Sequence, residues 1–136
     1  MLVRDYSFKD YDEIKTIHST SEMGKEYDLP DLDDPLFVVK KVVTDDNGKI
    51  IGASFLRIEA ETFLLLDENS NPRKKVEAIL EMSPIVELEA WKLGLSNLKA
   101  TIPDWMSAKF AKKLTKLGWI KAKEGWKSWY RLLGGK

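Results

Sequence analysis

Asn47-Gly48, set between two apolar β-branched runs, narrows the folds open to this chain more than any other feature. Asn-Gly takes up the left-handed backbone that a tight hairpin turn requires, so the flanking runs become paired antiparallel strands. The first run is Phe37-Val38-Val39-Lys40-Lys41-Val42-Val43 and the second extends from Ile50 to Ile58. Gly52 marks a bulge or a close backbone approach in the second. Thr62-Phe63-Leu64-Leu65-Leu66-Asp67 then reads as a continuous apolar run, the pattern of a strand buried on both faces. These residues predict an antiparallel meander over 36–44, 49–59 and 61–67, with the third strand central.

The rest of the chain alternates helix and strand. Leu2 to Tyr6 reads as an opening strand, and Ser7 caps a helix from about Phe8 to Ser19. Tyr11, Ile14, Ile17 and His18 recur on one face of that helix. Residues 22–35, rich in Asp, Gly and Pro, read as a loop with at most one helical turn. Asn71 before Pro72 is an N-cap followed by proline at the first helical position. That helix carries Val76, Ile79 and Leu80, and Pro84 is expected to kink or divide it before Gly94 ends it. Residues 98–102 form a further strand, expected parallel to 61–67 because a helical crossover of about thirty residues separates them. Asp104 caps a helix with Met106, Phe110, Leu114 and Leu117, closed by Gly118. Trp119 to Ala122 and Trp126 to Leu133 read as a last strand pair.

A length of 136 residues favours a single domain over 1–136. The chain is 43% hydrophobic and 32% charged, which suits a globule with one core. There are no cysteines, so disulfides and thiolate ligands are excluded. No apolar run approaches the roughly 20 residues of a membrane span, and the opening Met1-Leu2-Val3-Arg4-Asp5 does not read as a signal peptide. A cytoplasmic location is expected. The formal net charge is zero but unevenly spread. Residues 109–136 hold nine Lys or Arg and one acid, Glu124, a net of +8, which leaves −8 for residues 1–108. Two solvated faces of opposite sign are the plainer reading. An acidic region for a cationic substrate with a basic one for a phosphate-bearing ligand is another, and a homodimer through complementary faces a third.

The order of elements spans nearly the whole chain and resembles the GNAT superfamily of N-acyltransferases. Val3-Arg4-Asp5-Tyr6 with Asp10, Tyr11 and Ile14 is similar to that family's opening strand and first helix. Lys116-Leu117-Gly118-Trp119 is similar to its Lys-Leu-Gly-aromatic exit from a helix into a strand. The resemblance implies an α/β (α+β) fold: a mixed, mostly antiparallel GNAT-like sheet of about six to seven strands, flanked by helices. It also implies an acetyl-CoA-dependent acetyltransferase acting on a small-molecule or protein amine acceptor. The family's glycine-rich pyrophosphate loop corresponds here to Glu68-Asn69-Ser70-Asn71-Pro72-Arg73-Lys74-Lys75, which has no glycine, and Pro72 removes one N–H donor. Leu114 stands where the family often has a tyrosine acid.

On that resemblance, backbone groups of Leu65, Leu66 and Asp67 pair with the pantetheine arm, while Asn71, Arg73, Lys74 and Lys75 meet the phosphates. Cations in a first helical turn oppose the helix dipole, which an anion bound there would offset. Glu59 and Glu61 are the candidate bases for deprotonating the amine. The plainer reading of both is an outward position on an alternating strand. His18, with Tyr27, Asp28 and Asp31 of the acidic segment, would border the acceptor and select a cation. As plainer alternatives, His18 is a packing residue and the segment a solvated connection. Trp119, Trp126, Trp129 and Tyr130 interleave with cations, a composition that suits stacking on single-stranded nucleic acid. Strand alternation, however, turns one aromatic set into the core, which argues against nucleic acid as a partner. No metal-ligand spacing occurs. Two alternatives to the enzyme remain: a catalytically silent GNAT-like domain that binds a ligand or protein, and a small nucleic-acid-associated protein using the basic C-terminal third.

Overall fold

A computed structural model describes residues 1–102, 108–122, 131, 133 and 134. The chain divides into two compact units, Met1–Ala100 and Thr101–Lys136.

In the first unit the hairpin forms as its turn chemistry requires. Strand β2 (Phe37–Thr44) pairs antiparallel with β3 (Ile50–Arg57). Gly48 has φ +80°, and the Asp45 carboxylate accepts from the amides of Asn47 and Lys49, both at 2.9 Å. Gly52 lies opposite Val43, beside the register shift between Val43 and Thr44. Strand β1 (Leu2–Asp5) adds to the other edge of β2, so β2 is central in the order β1-β2-β3.

Ser7 starts the first helical segment by a capping box. Its side chain accepts from the Lys9 amide at 3.3 Å, and the Asp10 carboxylate accepts from the Ser7 amide at 2.8 Å. A 3-10 turn over Phe8–Asp10 leads into helix α1 (Tyr11–Thr20). Arg4 donates two hydrogen bonds of 2.8 Å to Asp10, tying β1 to the start of α1. These donors hold the Asp10 carboxyl at about 2, below its ordinary 3.8: the Arg4 hydrogen bond contributes most, then the Ser7 amide.

The core lies between α1 and one face of the sheet. Ile14, Leu32, Val42 and Ile50 are buried, with Tyr6, Ile17, Leu29, Phe37 and Phe55 packed around them. Phe55 meets both Tyr6 and Phe37 edge to face, with centroids 5.8 and 6.3 Å apart. Lys40 shares the core-facing row of β2 with Val42 and Thr44. It escapes by extending its ammonium to the Leu32 carbonyl at 2.8 Å, over the Tyr6 ring. The Ile50 amide donates to Glu13 of α1 at 2.9 Å, joining helix to hairpin.

Beyond β3 the expected architecture gives way. Strand β4 is only Ala60–Glu61, and it pairs not with β3 but parallel with β5 (Leu98–Lys99) in a separate two-stranded sheet. The Thr62 amide adds one bond to the Lys99 carbonyl at 2.8 Å, after which residues 62–67 belong to no strand. Leu65 is 91% exposed. The meander with 61–67 at its centre is therefore corrected: the run finds only a two-residue partner, so Phe63, Leu64 and Leu65 stay exposed and Leu66 is only half-buried. The GNAT-like sheet of about six to seven strands is overturned with it. The described residues form an α+β arrangement of one three-stranded antiparallel sheet, one two-stranded parallel sheet and three α-helices.

Helix α2 (Pro72–Lys92) is capped by Asn71, whose side chain accepts from the Lys74 amide at 2.8 Å. Of the kink or division expected at Pro84, division does not occur: the helix runs through it. It ends in a Schellman motif: Gly94 (φ +86°) donates to Trp91, and Leu95 to Ala90. In the second unit, helix α3 (Ala108–Lys116) ends the same way at Gly118 (φ +92°), with the Trp119 amide on Leu114. Trp119 to Ala122 form no strand. The Asp104 cap and Met106 lie outside the described residues, as does 126–133 apart from 131 and 133.

Candidate functional site

Four groups of candidate residues lie in the first unit, and each is positioned by different local chemistry. The acidic segment is built against α1. His18 Nε2 lies 2.8 Å from the Tyr27 carbonyl, and the two rings meet edge to face at 5.1 Å. Gly24 packs so closely that a Cβ there would fall 1.6 Å from the His18 carbonyl oxygen. Only glycine fits that approach. Ser21 Oγ accepts from the Gly24 amide at 2.8 Å, and a 3-10 turn over Met23–Lys25 follows the end of α1. Asp31 and Asp34 accept from amides two residues onward, at 3.0 and 2.9 Å, turning the chain toward β2. Asp28 is exposed. His18 and Tyr27 therefore come together, while Asp31 serves a turn. The segment's apolar residues do more: Leu32 enters the core and Leu29 packs on it.

The candidate bases follow β3: Glu59 lies in the short connection to β4, and Glu61 ends β4. Glu59 is exposed and pairs with Arg57 at 3.0 Å. Glu61 is exposed in β4. Among the described residues no group of three or more His, Asp or Glu side chains could hold a metal ion, and no helix is long and apolar enough to cross a membrane.

The start of α2 gathers the expected phosphate contacts. Asp67 folds the connection by accepting from Asn69 N at 3.0 Å and Ser70 Oγ at 3.2 Å. Arg73 faces Glu77 one turn on at 3.5 Å, and Lys75 donates to the Glu68 carbonyl at 3.1 Å. Among the described residues the Lys74 ammonium has no partner. Leu65 and Leu66 precede this turn in irregular backbone. Of the residues expected to meet phosphates, Asn71 caps the helix through its side-chain oxygen, and two of the three cations already have acceptors.

The fourth group was not singled out from sequence. Helix α2 buries none of its twenty-one residues. Val76, Ile79, Ser83 and Ala90 are half-buried along one face. Beside it, Leu80, Pro84, Leu88 and Trp91, spaced by four, four and three residues, form an exposed stripe, with Trp91 71% exposed. Phe63 and Leu65 add exposed apolar surface upstream. The signal was present in the sequence as two apolar rows on one helix, which calls for neighbours on two sides rather than one. Together these residues define an apolar interaction surface. No family model, curated protein or solved structure matches this chain.

Proposed function

We propose that this chain is an interaction module that binds a protein partner through the exposed stripe of α2, and that the partner is a second copy of the chain. What carries this reading is the stripe of Leu80, Pro84, Leu88 and Trp91 on a helix that buries no residue. A contiguous apolar patch above about 300–600 Å² is unusual on a monomer and marks a surface that associates. Two identical stripes laid antiparallel cover each other, oppose their helix dipoles and close at two copies. Leu80→Ser, Leu88→Ser and Trp91→Ser together should convert a dimer into a monomer in light scattering. A wild-type chain that stays monomeric at high micromolar concentration sinks the reading.

A second reading, an acyl-CoA-dependent N-acyltransferase, is favoured by the three cations in the first turn of α2, directly after backbone outside any strand. Leu65, Leu66 and Asp67 would pair with the pantetheine arm, and Lys74 with its neighbours would meet the phosphates. Glu59 or Glu61 would take the amine proton as the nitrogen attacks the thioester carbonyl and the thiolate departs. The segment of His18, Tyr27, Asp28 and Asp31 would select the amine. Calorimetric titration with acetyl-CoA tests it. Arg73→Gln, Lys74→Gln and Lys75→Gln together should weaken binding at least tenfold, about 1.4 kcal/mol. Absence of binding at millimolar acetyl-CoA removes the enzyme and leaves the interaction module standing.

A further inference from the structure

Helix α3 has the sequence Ala-Lys-Phe-Ala-Lys-Lys-Leu-Thr-Lys. Its lysines at 109, 112, 113 and 116 follow helical spacing, so all four share one face, and all are exposed. Phe110 and Leu114 lie on another face and are half-buried. Four ammonium groups thus line about 10 Å of helix, at 1.5 Å per residue. From residue 105 to residue 123 the sequence contains no acid to neutralise them. Among the described residues none of the four has an ion-pair partner.

Helix electrostatics accounts for half of this arrangement. Lys113 and Lys116 sit in the last turn, where the dipole favours cations. Lys109 sits in the first turn, where it disfavours a cation, and Lys112 at mid-helix, where it gives no help. A row of like charges on one face also repels itself, by a few tenths of a kcal/mol for each neighbouring pair. A bound polyanion removes both penalties.

The geometry also selects the kind of anion. A single phosphate asks for convergent donors in a recess, whereas these are point charges in a line on a convex surface. Lysine lacks the planar fork that reads base edges, so such a row follows a chain of phosphates rather than a sequence. An anionic membrane would attract the same lysines, but a helix lying in a bilayer surface needs its apolar face uncovered. Here Phe110 and Leu114 are already half-buried within the chain. We propose that the lysine face of α3 binds the phosphate backbone of nucleic acid without reading base sequence.

The test is fluorescence anisotropy of a labelled DNA duplex of about 20 base pairs titrated with the full chain. Four phosphate contacts predict a log–log salt slope of about −3.6, so affinity should fall about 100-fold between about 50 and 200 mM salt. Lys109→Gln, Lys112→Gln, Lys113→Gln and Lys116→Gln together should remove most of that slope and lower affinity at least 100-fold at the lower salt. Replacing the same four residues by Arg should keep binding, and a duplex of scrambled sequence should bind equally. Far-UV circular dichroism checks that α3 is retained. Should the Gln variant lose helix, Lys112→Glu alone takes its place, with at least a tenfold loss expected. Failure of the wild type to bind duplex at the lower salt overturns the proposal, as does a Gln variant that binds like wild type. Binding to phosphatidylserine vesicles without binding to duplex overturns it in favour of a membrane surface.

Discussion

Residues 1–58 and 60–100 belong to the same compact unit, and they use similar amounts of apolar sequence to opposite ends. In the first stretch, a helix and a sheet close on each other, and the four buried hydrophobic residues found among the described residues lie there: Ile14, Leu32, Val42 and Ile50. In the second, a well-capped helix and a two-residue strand pair keep Phe63, Leu65, Leu80, Leu88 and Trp91 exposed. Good local chemistry is equal in both: Ser7 caps one helix and Asn71 the other. The difference is a second layer. An apolar face contributes stability only when another element covers it.

The largest effect that could break this contrast comes from paired core and stripe truncations. Ile50→Ala, at a side chain only 2% exposed, should destabilise by about 3 kcal/mol in urea unfolding. Leu88→Ala should stay within about 0.5 kcal/mol in the monomer. Equal losses would mean that α2 is covered in solution, and dilution through the dimer–monomer transition would then show whether a second copy covers it.

Next in size is the anchor between β1 and α1. Asp10→Asn weakens the bidentate Arg4 bond and half the capping box, and should cost on the order of 2 kcal/mol. Its pH dependence has a definite sign. The folded Asp10 pKa, about 2, lies below the ordinary 3.8, so its contribution is full above about pH 4 and is lost as pH falls through 2. Lys41 lowers the Asp5 carboxyl in the same direction. Acid unfolding should therefore be steeper for wild type than for the Asp10→Asn variant, and parallel curves would show that Asp10 does not carry the acid response.

The smallest effect concerns the start of α2. Replacing Arg73, Lys74 and Lys75 by Gln relieves repulsion with the helix dipole but removes the Arg73–Glu77 pair and the Lys75 bond to Glu68. The melting temperature should barely move, with a net change within about 0.5 kcal/mol. A clear loss would make these cations structural, and any loss of acetyl-CoA binding in that variant would no longer locate the phosphates.

Local signals were legible wherever the deciding atoms lie within a few residues. Asn47-Gly48 announced the hairpin, Ser7 and Asn71-Pro72 the helix starts, and Gly94 and Gly118 the helix ends, because each acts on backbone groups at most five residues away. The candidate site was less legible. His18 and Tyr27 meet, while one side-chain oxygen each of Asp31 and Asn71 accepts a backbone amide, in a turn and in a cap. Competition between a backbone amide and a ligand for the same oxygen leaves no trace in residue type.

The sequence by itself determined the punctuation of this protein: where strands turn, where helices start and stop, and how its charge divides between residues 1–108 and 109–136. Only the tertiary structure decided which elements cover one another. It paired β1 with β2 across some forty residues, buried Leu32 from an acidic loop, and left Thr62 to Leu66 outside any strand despite their apolar run. The physical reason is that a cap or turn is satisfied by its own neighbourhood, whereas an apolar run is equally suited to any covering surface. Burial depends on a partner that can lie anywhere in the chain, and among the described residues the exposed stripe of α2 has none.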